Sequence, residues 1–582
     1  MKLTMNGIQA REQWAEAGIS LPSYDIAAVR ERTLAEPRWV HFGIGNIFRI
    51  FIGGIADKLL EDGRMDTGII CAEAYDFEIV DKIYKPHDCL CLGMTLHKDG
   101  AVDQRVIGSL AEAVKAKPSA SGESGVDGAC AEPDATAPAC ADWACADWAR
   151  LQAVFRAPTL QMVSFTITEK GYALRDAEGR FTPRTLQEME EGPELGAAGV
   201  TRESGTPNVT STAKPAGTIA LVTSLLCERF LEGGFPLALV SMDNCSENGR
   251  QLREAVLTMA KAWRERGLVP EEFLDWVSDE SKVAFPWTMI DKITPRPGER
   301  ALEMLKAEGV EDMDILVTEK KTFIAPFVNA EGPQYLVVED SFPNGRPPLE
   351  LAGVYMTDRE TVNMSERMKV TVCLNPLHTA LCTFGCLLGY EMFADLMEDP
   401  ELLKLAELVG PVEGMDVVPD PGILSPAAFL DEVLTERFPN VYLGDTTQRI
   451  ATDISQMTGI RFGETIKSYV AKYGSAEKLV GIPLAIAGWI RYLLGVDDEL
   501  RAMELAPDPM IPELQAHLAG VVVGKPESLT DQLRWILSNE YLFRSNLYEA
   551  GIGEKIEAMV REMLGGAGAV RKTLRHYLNP RA

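Results

Sequence analysis

The sequence predicts an α/β nucleotide-binding unit followed by a mainly α-helical unit, and three observations lead there. Short apolar runs alternate with amphipathic stretches through the first half of the chain. A Gly-x-Gly turn joins the first of those runs to a segment of helical spacing. Beyond about residue 350 strand signals fade and helical periodicity takes over.

The elements follow in order. RWVHFGIGNIFRIFIGGIADKLLEDG opens with an apolar run at 39–44, carries Gly43 and Gly45, and then repeats Ile47, Ile50, Phe51, Ile55 and Leu59 at helical spacing. Buried strands are expected in DTGIICAEAY (66–75), LQMVSFTITEKGY (160–172) and PLALVSMDN (236–244). SENGRQLREAVLTMAKAWRERG, after Asn244, has a helix-start signature and an amphipathic period. Strands alternating with helices imply a mostly parallel sheet covered on both faces. Residues 116–147 and 190–216 interrupt the pattern; both are rich in small and polar residues and predict surface insertions without a core. The first contains a duplicated ACADW that looks like a slippage repeat. DKITPRPGER (291–300) punctuates the chain, so a nucleotide-binding domain over 1–297 and a helical substrate domain over 298–582 are expected. Residues 301–350 still show strand character, as in QYLVVED. TALCTFGCLLGYEMFADLM, LAIAGWIRYLLG, LTDQLRWILSNEYLF and KIEAMVREMLGGAGAVRKTLRHYL are helical by period.

Composition narrows the function. The 582 residues are 46% hydrophobic and 25% charged, as in a globular protein with large cores. A formal charge of −29 argues against nucleic acid or an anionic membrane as partner. No apolar run reaches membrane-spanning length and the N-terminus lacks a signal-peptide core. The 11 cysteines are scattered and odd in number, which fits a reducing cytoplasm. No second cysteine pair completes a zinc site with Cys89 and Cys91 or with Cys382 and Cys386, and the 6 histidines are dispersed, so no metal is expected.

A strand, a Gly-x-Gly turn and a helix together hold a pyrophosphate, because bare backbone N–H groups approach the phosphates at a helix N-terminus. Gly43, Gly45, Asn46, Ile47 and Phe48 supply that turn, although the third glycine of the usual fingerprint is missing. The next strand ends near Glu73, an acid able to accept from a ribose diol and to repel a 2′-phosphate, with Asp76 as the alternative. NAD(H) is therefore favoured over NADP(H).

KVTVCLNPLHTAL (369–381) places a Lys, an Asn and a His in an otherwise apolar run, which a buried helix with satisfied polar groups would also explain. FGIGNIFR, SFTITEKGY, MDNCSENG, FPWTMIDKITP and RFPNVYLGD accompany it, and together the six segments resemble the mannitol dehydrogenase family of long-chain polyol and uronate dehydrogenases. The resemblance runs from about residue 38 to beyond 460, outside the two insertions. It implies a Rossmann-like domain, a helical catalytic domain and metal-independent chemistry. It makes Lys369 the acid/base, Asn244 and Asn375 the holders of the reacting oxygen, His378 the group orienting the substrate hydroxyl, and Glu169 a helper in proton movement. Asp291 and Arg437 match positions near the substrate.

The chemistry fits those residue types. Hydride addition to a ketone builds negative charge on oxygen, which an ammonium quenches by giving a proton. A lysine does this near neutrality only where apolar surroundings lower its pKa to about 7–8. Losing one amide donor to a developing alkoxide typically costs about 3–4 kcal/mol of transition-state stabilisation. One departure stands out: the family spacing is Lys-x4-Asn-x2-His, whereas this chain has Lys-x5-Asn-x2-His with Pro376 after Asn375. On a regular helix Lys369 and Asn375 would be about 240° apart, which predicts a bulge or kink between 370 and 376.

Within the family, CLNPLHTALCTFGCLLGY and YLGDTTQRIATD are closest to fructuronate-reducing members. The expected reaction is D-fructuronate plus NADH to D-mannonate plus NAD⁺. Mannitol 2-dehydrogenase or tagaturonate reductase activity is the alternative, and a non-catalytic NAD sensor a further one. A uronate carboxylate calls for a cation, for which Arg437, Arg449 and Arg367 are candidates. The expected partner is a sugar acid or polyol, and the expected assembly a monomer or small homo-oligomer.

Overall fold

The computed structural model describes residues 1–118, 143–195 and 216–579. The chain forms two compact units, Met1–Leu96 with Val102–Val362, and His97–Ala101 with Asn363–Ala582. The division thus falls after Val362, not at the expected 297/298. Strand pairing is the reason: Phe327–Glu331 lies parallel to Cys91–Leu96, and Tyr335–Glu339 lies antiparallel to Thr288–Asp291. Those ladders tie the segment after the proline-rich turn into the sheets of the first unit.

The first unit is built on six parallel strands: β1 (Trp39–Phe42), β2 (Ile69–Glu73), β3 (Leu110–Lys115), β4 (Met162–Phe165), β5 (Leu237–Ser241) and β6 (Val283–Ala284). Their order, β3-β2-β1-β4-β5-β6, is the doubly wound arrangement whose crevice opens between β1 and β4 at the carboxyl ends of the strands. Alternate residues feed opposite cores, as the two-residue period requires. Val40, Phe42, Ile70, Val163 and Leu239 join one core with the helices α2 (Trp143–Arg156), α3 (Thr218–Glu232) and α4 (Asn248–Glu265). Trp39, Ile69, Cys71, Met162 and Val240 join the other with Phe48, Phe51, Ile55 and Leu59. The last two belong to α1 (Gly53–Glu61), the helix that continues from the glycine turn.

The two expected insertions fall largely on 119–142 and 196–215, outside the described residues. Their edges are ordered differently from the expectation. The second ACADW copy runs into α2, where Trp148 is buried in the core and Asp147 accepts from the Lys115 N–H at 3.0 Å. A segment that looks featureless by composition thus supplies a core side chain and a strand-end anchor.

The second unit is helical. Helices α5 (Arg359–Met368) and α6 (Asn375–Leu388) are joined by a wide turn; α6 packs on α7 (Gly481–Tyr492), which packs on α8 (Gly553–Met563). A Cβ at Gly488 would lie 2.5 Å from the Phe384 ring, so only glycine lets α6 and α7 approach this closely. Buried Glu413 accepts from the N–H groups of Val480, Gly481 and Ile482 at 2.5–2.9 Å and so satisfies the N-terminus of α7. The Arg359–Leu388 run is long and apolar enough to cross a membrane, but 83% of its most apolar window is buried inside the protein, as in a core helix.

Candidate active site

In the first unit the glycine turn has the form a nucleotide needs. Gly43 has φ +89°, and a Cβ there would sit 2.1 Å from the Thr166 carbonyl oxygen, so the turn demands glycine twice over. A Cβ on Gly45 would meet nothing, which leaves open space above the backbone at the helix start. Four groups hold the turn: Tyr84 Oη donates to the Ile44 carbonyl at 2.8 Å, Thr166 Oγ1 donates to the Gly43 carbonyl at 2.7 Å, Arg49 Nη2 donates to Asn46 Oδ1 at 2.7 Å, and Phe48 stacks on His41 at 4.0 Å. Burial holds His41 near pKa 3, so this ring is a neutral packing element.

Glu73 ends β2 as expected, but its carboxylate is largely engaged by the protein. It accepts from the N–H groups of Ile44, Tyr75 and Asp76 at 3.3, 2.9 and 3.1 Å. Burial pushes this carboxyl above the ordinary range while those N–H groups pull it back. Asp76 is also buried; its Oδ2 accepts from Thr318 Oγ1 at 2.6 Å, and its Oδ1 is a buried acceptor without a hydrogen-bond partner. The geometry therefore gives Glu73 the role of fixing the turn and leaves Asp76 with the spare acceptor.

Asp243 follows β5 and pins the neighbouring loop. It accepts from the N–H groups of Ile167 and Thr168 at 2.9 and 2.8 Å and from Tyr172 Oη at 2.5 Å. It does not cap α4. Asn248 fastens that helix instead, donating to Asp243 O and Thr288 O and accepting from Thr288 N at 3.0 Å each. Asp243 thereby sets Asn244, exposed at the strand end, beside the short helix Thr168–Tyr172 that carries exposed Glu169. Glu169, Tyr172, Arg175, Phe181, Gln251 and Glu254 line a 330 Å³ cavity. Asp291 is buried at the end of the Thr288–Asp291 strand.

In the second unit the anomalous spacing is resolved by a π-turn, Lys369–Cys373, closed by a 3.0 Å bond from Leu374 N to Lys369 O. This wide turn takes up the extra residue. Leu374, at φ −130° and ψ −65°, then breaks the helix, and α6 restarts with Asn375 and Pro376 in its first turn. The expected irregularity between 370 and 376 is present. Lys369 is 1% exposed, directed away from solvent. His378 stacks on Phe438 at 4.6 Å and meets Phe393 edge-on at 4.9 Å. Phe438 follows buried Arg437, the last residue of a further π-turn, Val433–Arg437. His378 and the Arg437 segment are thus brought together.

Arg367 and Arg449 fare differently from Arg437. Arg367 is half-exposed beside Glu464, and Arg449 is exposed and paired with Asp445. Sequence reasoning also missed Arg461. It lies in another π-turn, Gly459–Gly463, and donates from Nη1 to Thr379 Oγ1 at 2.6 Å. Its only signal in the sequence is a lone arginine between two glycines in a run expected to be helical.

Comparison with known proteins agrees with both halves of this description. The Mannitol dehydrogenase Rossmann domain matches residues 37–351 and the Mannitol dehydrogenase C-terminal domain matches 361–563. The chain is 48% identical to the D-mannonate oxidoreductase of Thermotoga maritima, over 99% of this chain and 98% of that protein. It is 28% identical to the polyol:NADP oxidoreductase of Gluconobacter oxydans, over 86% of this chain and 88% of that one. Among solved structures, a substrate-free D-sorbitol dehydrogenase superposes with TM-score 0.70 at 24% identity, covering 96% of this chain and 98% of that one. Pseudomonas fluorescens mannitol 2-dehydrogenase, solved with NAD and D-mannitol, superposes with TM-score 0.65 at 23% identity over the whole of both chains. These two likenesses concern the fold, whereas the domain matches and the 48% identity fix the kinship: the chain belongs to the mannitol dehydrogenase family.

Proposed function

We propose that the chain is an NAD-dependent oxidoreductase interconverting D-fructuronate plus NADH and D-mannonate plus NAD⁺. The observation that carries this reading is the near-full-length 48% identity to a D-mannonate oxidoreductase. The nucleotide fits the first unit: Gly45 leaves room for a pyrophosphate, and the buried Asp76 Oδ1 is an unpaired acceptor for a ribose hydroxyl. Bound there, NAD(H) would supply the hydride in reduction and accept it in oxidation.

The chain's own residues do the rest. Lys369 gives its proton to the ketone oxygen in reduction and takes it back in oxidation. Its burial at the start of the π-turn keeps competing water away from the amine. Asn244 and Asn375 donate their amide N–H groups to the oxygen that gains charge. His378, held flat against Phe438, orients a substrate hydroxyl, and exposed Glu169 passes protons to solvent. Asp291 and Arg437 contact the sugar chain.

The test is a substrate panel of fructuronate, tagaturonate, fructose, mannitol and mannonate with both nicotinamide pairs, followed by nicotinamide absorbance. Turnover of fructuronate and mannonate with NAD(H) is expected. Turnover of fructose and mannitol alone would move the chain to the polyol branch, and NADH binding without any turnover would favour a sensor. Lys369→Met should lower turnover by roughly 10²–10⁴-fold while NADH still binds. Unchanged turnover would remove Lys369 from the chemistry.

A further inference from the structure

We infer that Arg461 is the carboxylate anchor of the substrate site: its guanidinium, with the Thr379 hydroxyl, takes the carboxylate of the sugar acid. The inference rests on the keto-uronate reading above and names a specificity-determining residue for it.

The first support is an incomplete hydrogen-bond set. The protein shows elsewhere how it satisfies an interior arginine. Arg229 donates to five carbonyls, those of Phe155, Ala157, Leu160, Phe235 and Pro236. Arg491 donates to those of Val496, Asp497 and Met563. Arg461 has the 2.6 Å bond to Thr379 and no carboxylate partner among the described residues. Burial lowers its pKa to about 10, so it remains a cation at neutral pH. A largely buried cation with free N–H groups is costly unless a ligand completes it. Arg461 keeps part of its surface open, so a ligand has access.

The second support is placement. Asn375, Thr379 and Cys382 fall on one face of α6, at steps of four and three residues. Arg461 reaches that face at Thr379 and beside Cys382. Asn375, one turn earlier, has a buried Oδ1 without a partner. The two turns are about 6 Å apart along the axis. The ketone and carboxylate of an extended keto-uronate are separated by a comparable length, so one molecule can take the Asn375 amide N–H on its ketone, give a neighbouring hydroxyl proton to the orphaned Oδ1, and meet Arg461 with its acid end. The planar fork of an arginine suits a carboxylate bidentately, and Thr379, accepting from Arg461, keeps its own proton for a second acceptor.

The experiment compares wild type, Arg461→Met and Arg461→Lys in full-length protein. Arg461→Met should raise KM for fructuronate on the order of 10²-fold. NADH affinity should not change, and kcat should fall much less than kcat/KM. Arg461→Lys should recover part of the loss, since it keeps the charge without the fork. Mannonate should raise the unfolding midpoint of the wild type more than that of Arg461→Met, whereas mannitol should not distinguish them. Without ligand, Arg461→Met should unfold at or above the wild-type midpoint, because an uncompensated cation has gone. If wild type reduces fructuronate and Arg461→Met keeps its KM, the anchor is refuted. Equal protection of both proteins by mannonate would refute it as well. If wild type does not reduce fructuronate, the keto-uronate reading fails instead.

Discussion

Gly43 and Gly45 stand two residues apart in one turn, yet alanine at each should do opposite things. At Gly43 the φ of +89° alone costs an L-residue about 1–2 kcal/mol. The new Cβ would also lie 2.1 Å from the Thr166 carbonyl oxygen. Moving that oxygen out to contact distance means a shift of roughly 1 Å, an overpacking cost of about 1–3 kcal/mol. Thr166 cannot yield freely, since its N–H bonds Phe42 O at 2.9 Å and its hydroxyl bonds Gly43 O at 2.7 Å. Gly43→Ala should therefore lose about 2–5 kcal/mol of stability in the first unit. At Gly45 the backbone is ordinary and the Cβ meets nothing, so Gly45→Ala should change stability by less than about 0.5 kcal/mol. That Cβ would stand where a pyrophosphate oxygen must come, so NADH affinity should fall on the order of 10²-fold. Urea unfolding followed by tryptophan fluorescence measures the first effect, and NADH titration the second. Gly45→Ala binding NADH as well as wild type would show that the phosphates do not lie over this turn. Gly43→Ala with wild-type stability would refute the close-approach argument.

Other perturbations reach further parts of the chain. Burial pushes the Asp399 carboxyl up, but Arg571, Tyr390 and the Leu402 N–H outweigh it and hold it below the ordinary carboxylate range. A depressed pKa contributes stability that is present above the unfolded-state value and lost as pH falls through the folded one. The second unit should therefore weaken below about pH 4, and Asp399→Asn should cost about 2 kcal/mol at neutral pH, with the gap to wild type closing in acid. Urea titrations at several pH values check this; a gap independent of pH would exclude the ion pair as its source. Trp148→Ala should cost about 3–5 kcal/mol despite its place at the edge of a low-complexity stretch, read as a lower unfolding midpoint. Tyr172→Phe removes the 2.5 Å bond to Asp243 and should cost about 1–2 kcal/mol. It should also lower kcat more than NADH affinity, since the loop carrying Glu169 loses an anchor; an unchanged kcat would detach that loop from the reaction.

The parallel sheet could be foreseen because a strand buried on both faces must be largely apolar, and the centres of the runs at 39–44, 66–75 and 236–244 (39–42 apart from His41, 69–72 and 237–240) are. The helical second unit was equally legible, since its period is local. The bulge after Lys369 was foreseeable from one extra residue and a proline, both local facts. The hairpin Cys91–Leu96 with Val102–Ile107 was overlooked, and the unit boundary was placed too early, because strand partners distant in sequence leave no local mark.

Sequence alone determined the family, and it singled out a glycine turn and a lysine, asparagine and histidine set as candidates, since those depend on residue type and short spacing. Only the tertiary structure decided how those residues are used. Glu73 is consumed by backbone N–H groups, Asp243 holds a loop rather than a helix, and Arg449 is exposed beside its acid. Arg461 stands with a single hydroxyl for company. The physical reason is that charge and hydrogen-bonding capacity belong to a side chain, but whether that capacity is already satisfied depends on neighbours that folding brings from elsewhere in the chain.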